Sequence, residues 1–128
     1  MDYYITQSKE MGREVRAQFD LKEGRVLFEA ELLVLSAEDT AKVNDTYLRY
    51  HTFKYNDEQD CLVLGDGELF NHHTWPNIGY KLVNHLLEDR KLMQFYTLRP
   101  ILVGEQLFID YNADTKVNTN DYVGRNLL

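Results

Sequence analysis

Leu69-Phe70-Asn71-His72-His73-Thr74-Trp75-Pro76-Asn77 is the stretch on which the reading of this chain turns. An Asn-His pair follows an apolar run and precedes a Pro-Asn turn. Polar side chains at such a place need hydrogen-bond partners when buried. The segment therefore pins a loop from within or presents its groups to a ligand; taken alone, loop pinning explains it. Downstream lies Pro100-Ile101-Leu102-Val103-Gly104-Glu105-Gln106-Leu107-Phe108-Ile109-Asp110-Tyr111. Its closing tyrosine, beside an acid at the end of an apolar strand, reads alone as a packed aromatic and a surface carboxylate.

Outward from these stretches, period and punctuation predict short strands rather than long helices. Strands are expected over 2–6 and 14–19, the latter with Val15, Ala17 and Phe19 on one face. A turn at Lys22-Glu23-Gly24 leads to one or two strands over 25–35. Ser36 reads as the cap of a short helix over 37–43, with Asp39 reaching back. The β-branched and aromatic run 46–55 reads as a strand, followed by a turn at 56–59 and a returning strand at 60–64. Gly65-Asp66-Gly67 stops it, and an irregular stretch runs to Asn77. A strand pair is expected over 78–86 and 92–98, then a turn at 103–105 and a last strand at 106–111. The expected class is mainly β with short helices, in one domain over 1–128: a core of about 8–112 and a tail of 113–128.

With 128 residues, 44% of them apolar, the chain has room for one core and enough aromatic side chains to fill it. The formal charge of −7 comes without basic clusters, which argues against direct nucleic-acid binding. It favours basic partners by long-range attraction, or serves only solubility. No apolar run is long enough to span a bilayer, because Glu29 and Glu31 interrupt the longest. The N-terminal residues lack the basic-then-apolar pattern of a secretory signal. One cysteine excludes an internal disulfide and fits a reducing compartment, so the expected location is cytoplasmic.

Few chemistries suit the residues. His72 and His73 are adjacent, and His51 and His85 fall in other segments; no metal-ligand spacing emerges, so none is expected. Cys61 sits in an apolar strand and reads as a buried structural thiol. Ser8 and Ser36 lack the glycines of a nucleophile elbow. Gly65-x-Gly67 lacks the third glycine and following helix of a dinucleotide site.

Taken together and in this order, the two stretches resemble the SET-domain protein lysine methyltransferases. Asn71-His72 followed by Pro76-Asn77 matches that family's Asn-His-Ser-Cys-x-Pro-Asn signature at its spacing. Gly104 through Tyr111 matches Gly-Glu-Glu-Leu-x-x-Asp-Tyr. Gly12-Arg13-Glu14-Val15, with the turn at Lys22-Glu23-Gly24, is similar to the family's opening Gly-x-Gly strand. Glu14 stands where the family has its second glycine; His73 and Thr74 replace Ser and Cys. The chain is thus similar to a minimal SET domain of the small bacterial or viral kind.

The resemblance implies a β-clip fold of small curled sheets, with a C-terminal pseudo-knot that brings Tyr111 to Asn71. It implies S-adenosylmethionine as cofactor and methyl transfer to a protein lysine. Arg13, Glu14, Val15, Asn71, His72, Tyr111 and Tyr122 are the expected cofactor-binding residues. Tyr111 and Tyr50 are the expected catalytic residues lining a lysine channel, with Tyr47 or Tyr55 as alternatives to Tyr50 and His51 near the same place. Asp110 is expected to support the strand end, and Trp75 and Asn77 to shape the loop. The implied partner is a basic, lysine-containing peptide; pairing of two copies would use the apolar end of the tail. Because Glu14 departs from the motif, a catalytically silent SET-like module that binds basic peptides is the alternative. Methylation of a small amine or of the chain's own N-terminus is a third.

Overall fold

The computed structural model describes residues 1–10, 12–84 and 90–111. Tyr122, the rest of the expected tail, and His85 lie outside the described residues. Among the described residues, nine strands form three small sheets. β1 (Tyr3–Ser8) and β2 (Gly12–Ala17) make an antiparallel hairpin, with Thr6 opposite Glu14 and Tyr3 opposite Ala17. β3 (Val26–Val34), β4 (Phe53–Lys54), β5 (Asp60–Val63), β7 (Ile78–Asn84) and β8 (Lys91–Thr97) form a five-stranded sheet in the order β4-β5-β3-β8-β7. β3 is one long strand that serves two partners. Its first part pairs with β8, with a register shift between Val26 and Phe28, and its end pairs with β5. β6 (Asn71–His72) and β9 (Phe108–Ile109) form the third sheet, and they run parallel.

The core is aromatic where the sheets meet. Phe28, Phe70 and Tyr80 each pack on Phe95, with ring centroids 4.9, 5.4 and 5.9 Å away. Phe53 meets Tyr80 edge-on at 5.4 Å. Such stacked, tilted and edge contacts add about 0.5–1.5 kcal/mol per pair beyond simple burial. Cys61 is fully buried in β5, and burial pushes its thiol up to about 12. Helix α1 (Ala37–Val43) starts where expected: the Ser36 hydroxyl accepts the Asp39 N–H at 3.0 Å.

Three expectations are corrected. Residues 46–55 are not one strand. Tyr47–Tyr50 is a single 3-10 turn, capped by Thr46, and only Phe53–Lys54 pairs. Tyr47 is 75% exposed; β-propensity describes fit to a half-buried pleated surface, which this segment lacks. Phe19 does not continue the buried face of Val15 and Ala17. The strand ends at Ala17, and Phe19 is 57% exposed. The stretch before Asn77 is not wholly irregular, since it contains β6.

Candidate active site

Two distant segments build the site. In the parallel pairing, Asn71 stands opposite Phe108 and His72 opposite Ile109. The His73 N–H continues the ladder to the Ile109 carbonyl at 3.0 Å. β2 holds the other side of the C-terminal segment: Leu107 N–H donates to the Val15 carbonyl at 2.7 Å and Ala17 N–H to that of Glu105 at 2.9 Å. The C-terminal chain is clasped between the opening hairpin and the Asn-His segment, as the pseudo-knot expectation required.

Asn77 locks this crossing. It is 2% exposed; its Nδ2 donates to the Gln106 carbonyl at 2.9 Å and its Oδ1 accepts the Phe108 N–H at 2.8 Å. A carboxamide can satisfy a backbone acceptor and a backbone donor at once. The Pro-Asn end of the motif is therefore an architectural clamp, in line with the loop-shaping role expected of it. Trp75, in contrast, is largely exposed.

Tyr111 reaches this crossing from the chain's other end. Its hydroxyl donates to the Phe70 carbonyl at 2.8 Å, and its ring lies 4.9 Å from that of His72. Its backbone N–H donates to His72 Nδ1 at 2.9 Å. A backbone N–H only donates, so Nδ1 is the acceptor and the ring proton sits on Nε2. The Asp110 carboxylate stands 3.8 Å from Nδ1, too far to bond it. Asp110 is buried, and its carbonyl accepts from the Tyr80 hydroxyl at 2.8 Å, so it supports the strand end. Tyr111 thus meets the residues on either side of Asn71.

The Asn71 side chain turns to β2. Its Nδ2 donates to the Arg13 carbonyl and to Gln106 Oε1, each at 2.9 Å. Both amide hydrogens are used, and Oδ1 has no donor among the described residues. Glu14, at the position of the family's second glycine, is 4% exposed and lies in the extended backbone of β2; among the described residues only glycines have a positive φ. The substitution carries no backbone strain. Arg16 clasps its Oε1 through two nitrogens at 2.9 and 3.1 Å, and Gln106 Nε2 approaches Oε2 at 3.4 Å. The hydrogen bond from Ser8, then the Arg16 guanidinium, hold the Glu14 carboxyl below its ordinary value against burial.

Arg16 and Gln106 are the site residues that sequence reading missed. Arg16 shares a strand face with Glu14 by the period of two. Gln106 is a further departure, an amide where the signature has its second Glu. Glu14 and Gln106 touch. Val15 is buried and, like Arg13, has its carbonyl engaged within the protein, though a carbonyl can accept a second donor. Tyr50 lies on the 3-10 turn, its ring 5.3 Å from Tyr47 and under the Arg49 guanidinium. His51 joins this turn to the segment before Phe70 through Glu68, at 2.5 Å. Among the described residues, no group of three or more His, Cys, Asp or Glu gathers that could hold a metal.

The SET domain model matches residues 12–112, most of the chain, including both segments that build the site. The chain belongs to the SET-domain family. This SET domain is 35% identical over 66 residues to a histone-lysine N-methyltransferase, H3 lysine-37 specific, of Schizosaccharomyces pombe. That match covers 52% of the chain and 42% of the yeast protein, so the SET domain here aligns with less than half of that relative. Among solved structures, a Plasmodium falciparum protein described as a candidate histone methyltransferase superposes with a TM-score of 0.68 at 20% identity, covering 86% of this chain and 92% of that one. The Cryptosporidium protein CpSET8 gives 0.69 at 24%, covering 85% and 56%. An active polycomb repressive complex 2 in its basal state gives 0.67 at 22%, covering 85% of this chain and 15% of that one. These structural likenesses carry the fold: a mainly β SET domain of curled sheets with few helices.

S-adenosylmethionine, the cofactor of the resemblance, fits the residues present. Asn71 offers an acceptor with no donor among the described residues. Gly12, at φ +74°, has nothing within 4 Å of where a Cβ would stand, among the described residues.

Proposed function

We propose that this SET domain transfers a methyl group from S-adenosylmethionine to the side-chain amine of a protein lysine. The observation that carries the reading is the Tyr111 hydroxyl, fixed by Phe70 at the crossing of β6 and β9. When bound, the cofactor supplies an electrophilic methyl on a sulfonium. The chain's residues supply binding and alignment. Because the Tyr111 O–H donates to Phe70, the phenol oxygen meets any further polar group as an acceptor. An acceptor there can hold an amine N–H and orient the nitrogen lone pair for in-line attack. Weak C–H···O contacts to a methyl are second-order.

The attacking amine must be neutral, although a free lysine has a pKa of about 10.4. A dry channel beside a cationic sulfonium lowers it by desolvation and like-charge repulsion. No dedicated base is then needed, and alignment supplies several kcal/mol. Arg13, Val15, Asn71, His72 and Tyr111 are the proposed cofactor contacts, with Tyr50 as the second channel tyrosine. The substrate class is a basic peptide, which the net charge of −7 attracts. β4 and β7 end the five-stranded sheet among the described residues, and a peptide could add to such an edge as a strand.

The test is transfer of isotope-labelled methyl to basic peptides, read by mass spectrometry. Labelled lysine that disappears with Tyr111→Phe is the expected result. One feature favours a second reading: Glu14 fills the glycine position with a buried side chain. A folded protein that binds basic peptide equally with and without cofactor, and never methylates it, would establish a silent binding module instead.

A further inference from the structure

Glu14, Gln106 and Asn71 form a chain of three side chains whose direction is fixed by chemistry. A carboxylate only accepts, so the Gln106 group facing Glu14 Oε2 is its NH2, at 3.4 Å. Gln106 must then turn Oε1 the other way, where it accepts from Asn71 Nδ2 at 2.9 Å. The Arg13 carbonyl, also an acceptor, takes the second Asn71 hydrogen at 2.9 Å. Asn71 is left with Oδ1 pointing out of the network and no donor among the described residues. Arg16 clasps Glu14 from the far side and itself donates to the Gly104 carbonyl at 2.8 Å, so the head of the chain is held in place.

Resting on the methyltransferase reading, we propose that Glu14 is a positioning residue. It sets the polarity of the Gln106 amide, which with the Arg13 carbonyl holds the Asn71 amide, so that Asn71 presents a fixed acceptor to the cofactor's α-ammonium. Removing the carboxylate takes away the acceptor that Gln106 Nε2 faces and loosens the Gln106 anchor of Asn71. Of the cofactor's donor groups, the ammonium gains most from a preset acceptor, because charge-assisted hydrogen bonds are about twice as strong as neutral ones. The departures at positions 14 and 106 then make sense as one. The carboxylate is absent from position 106 and present at position 14, one amide further from Asn71. A carboxylate at 106 would accept from Asn71 Nδ2 directly and impose the same polarity.

Two readouts test this on the full chain. The first is calorimetric affinity for S-adenosylhomocysteine and for its analogue lacking the α-amino group. The natural protein should prefer the amino-bearing ligand by about tenfold or more. Glu14→Gly should lose most of that preference. The double variant Glu14→Gly/Gln106→Glu should regain it, a rescue that a merely structural role does not produce. Glu14→Gln, which keeps the size and removes the charge, serves if the glycine variant unfolds, and should lose preference likewise. Unchanged preference in a folded single variant, equal weakening of both ligands, or a double variant without rescue would each overturn the proposal. The second readout needs no ligand. The Asn71 carboxamide protons, followed by NMR, should shift in the single variant and return in the double. If neither ligand binds the natural protein, the methyltransferase reading fails. The NMR result then decides the relay by itself: unmoved Asn71 signals overturn it, and shifted signals that return in the double variant sustain it.

Discussion

Tyr111 donates its hydroxyl to the Phe70 carbonyl at 2.8 Å, joining residues 41 positions apart. The bond fixes the phenol at the crossing of β6 and β9 and uses its proton, so towards any further group its oxygen acts as an acceptor. The proposed chemistry depends on this relationship, and it separates alignment from binding.

Tyr111→Phe keeps the ring against His72 and removes only the hydroxyl. Turnover is expected to fall by about 100-fold, roughly 3 kcal/mol of transition-state stabilisation, with cofactor affinity nearly unchanged. The stability cost should be near 1 kcal/mol. Single-turnover methyl transfer beside a cofactor titration checks the split; equal loss in both would remove the alignment role.

Asn77→Ala strips partners from the Gln106 carbonyl and the Phe108 N–H inside a buried crossing. Each stranded group costs about 1–3 kcal/mol, so a loss of about 2–4 kcal/mol in urea unfolding is expected. Asn56 likewise bonds two backbone groups, accepting from the N–H of Glu58 and of Gln59, but on the surface. Water can replace it there, and Asn56→Ala should cost under about 1 kcal/mol.

Gly67→Ala tests the packing beneath the site. A Cβ at Gly67 would stand 2.6 Å from Val63 Cγ1 and 2.7 Å from Phe95 Cζ, both part of the core. Neither can move without disturbing the aromatic cluster, so a loss of about 1–3 kcal/mol is expected in thermal or urea unfolding.

The pH dependence of stability has a sign on each side. Burial raises the Cys61 thiol from 9.0 to about 12. Burial, then the hydrogen bond to Asp66, raises the Tyr3 hydroxyl above its ordinary 10.0. Both groups are held protonated in the fold, so their stabilisation is complete below 9.0 and is lost as pH climbs from there through the raised values. Glu14 and Asp2 have lowered values, Asp2 chiefly through its hydrogen bond from Arg25; their contribution is present above the ordinary carboxylate range and lost as pH falls below it. Unfolding midpoints should therefore plateau near neutrality and drop at both ends. Native Cys61 should resist thiol reagents at pH 8 and react after unfolding; rapid native labelling would contradict its burial.

Much of this architecture is legible in the residues, because local chemistry writes it. Alternation and turn residues place β1, β5, β7 and β8, and Ser36 marks the helix start. Motif order gives the meeting of the 71 and 111 regions, which no local pattern contains. The failures are places where tertiary context decides. Tyr47 and Leu48 have strand-forming neighbours, but no sheet edge receives them, and Thr46 caps a 3-10 turn instead. Phe19 keeps the strand period but stands past the strand's end. Glu14 looked like an intrusion into a glycine site. Its acceptability depends on Arg16 beside it and Gln106, which is 92 residues away, and only folding reveals that pair.

The most direct measurement is calorimetric titration of the folded, cofactor-free protein with S-adenosylmethionine, repeated for Asn71→Ala and with basic peptide present. Binding at micromolar or tighter affinity, weakened by Asn71→Ala, is the expected result. No binding, with or without peptide, would contradict the methyltransferase reading and leave a SET fold that serves peptide recognition alone.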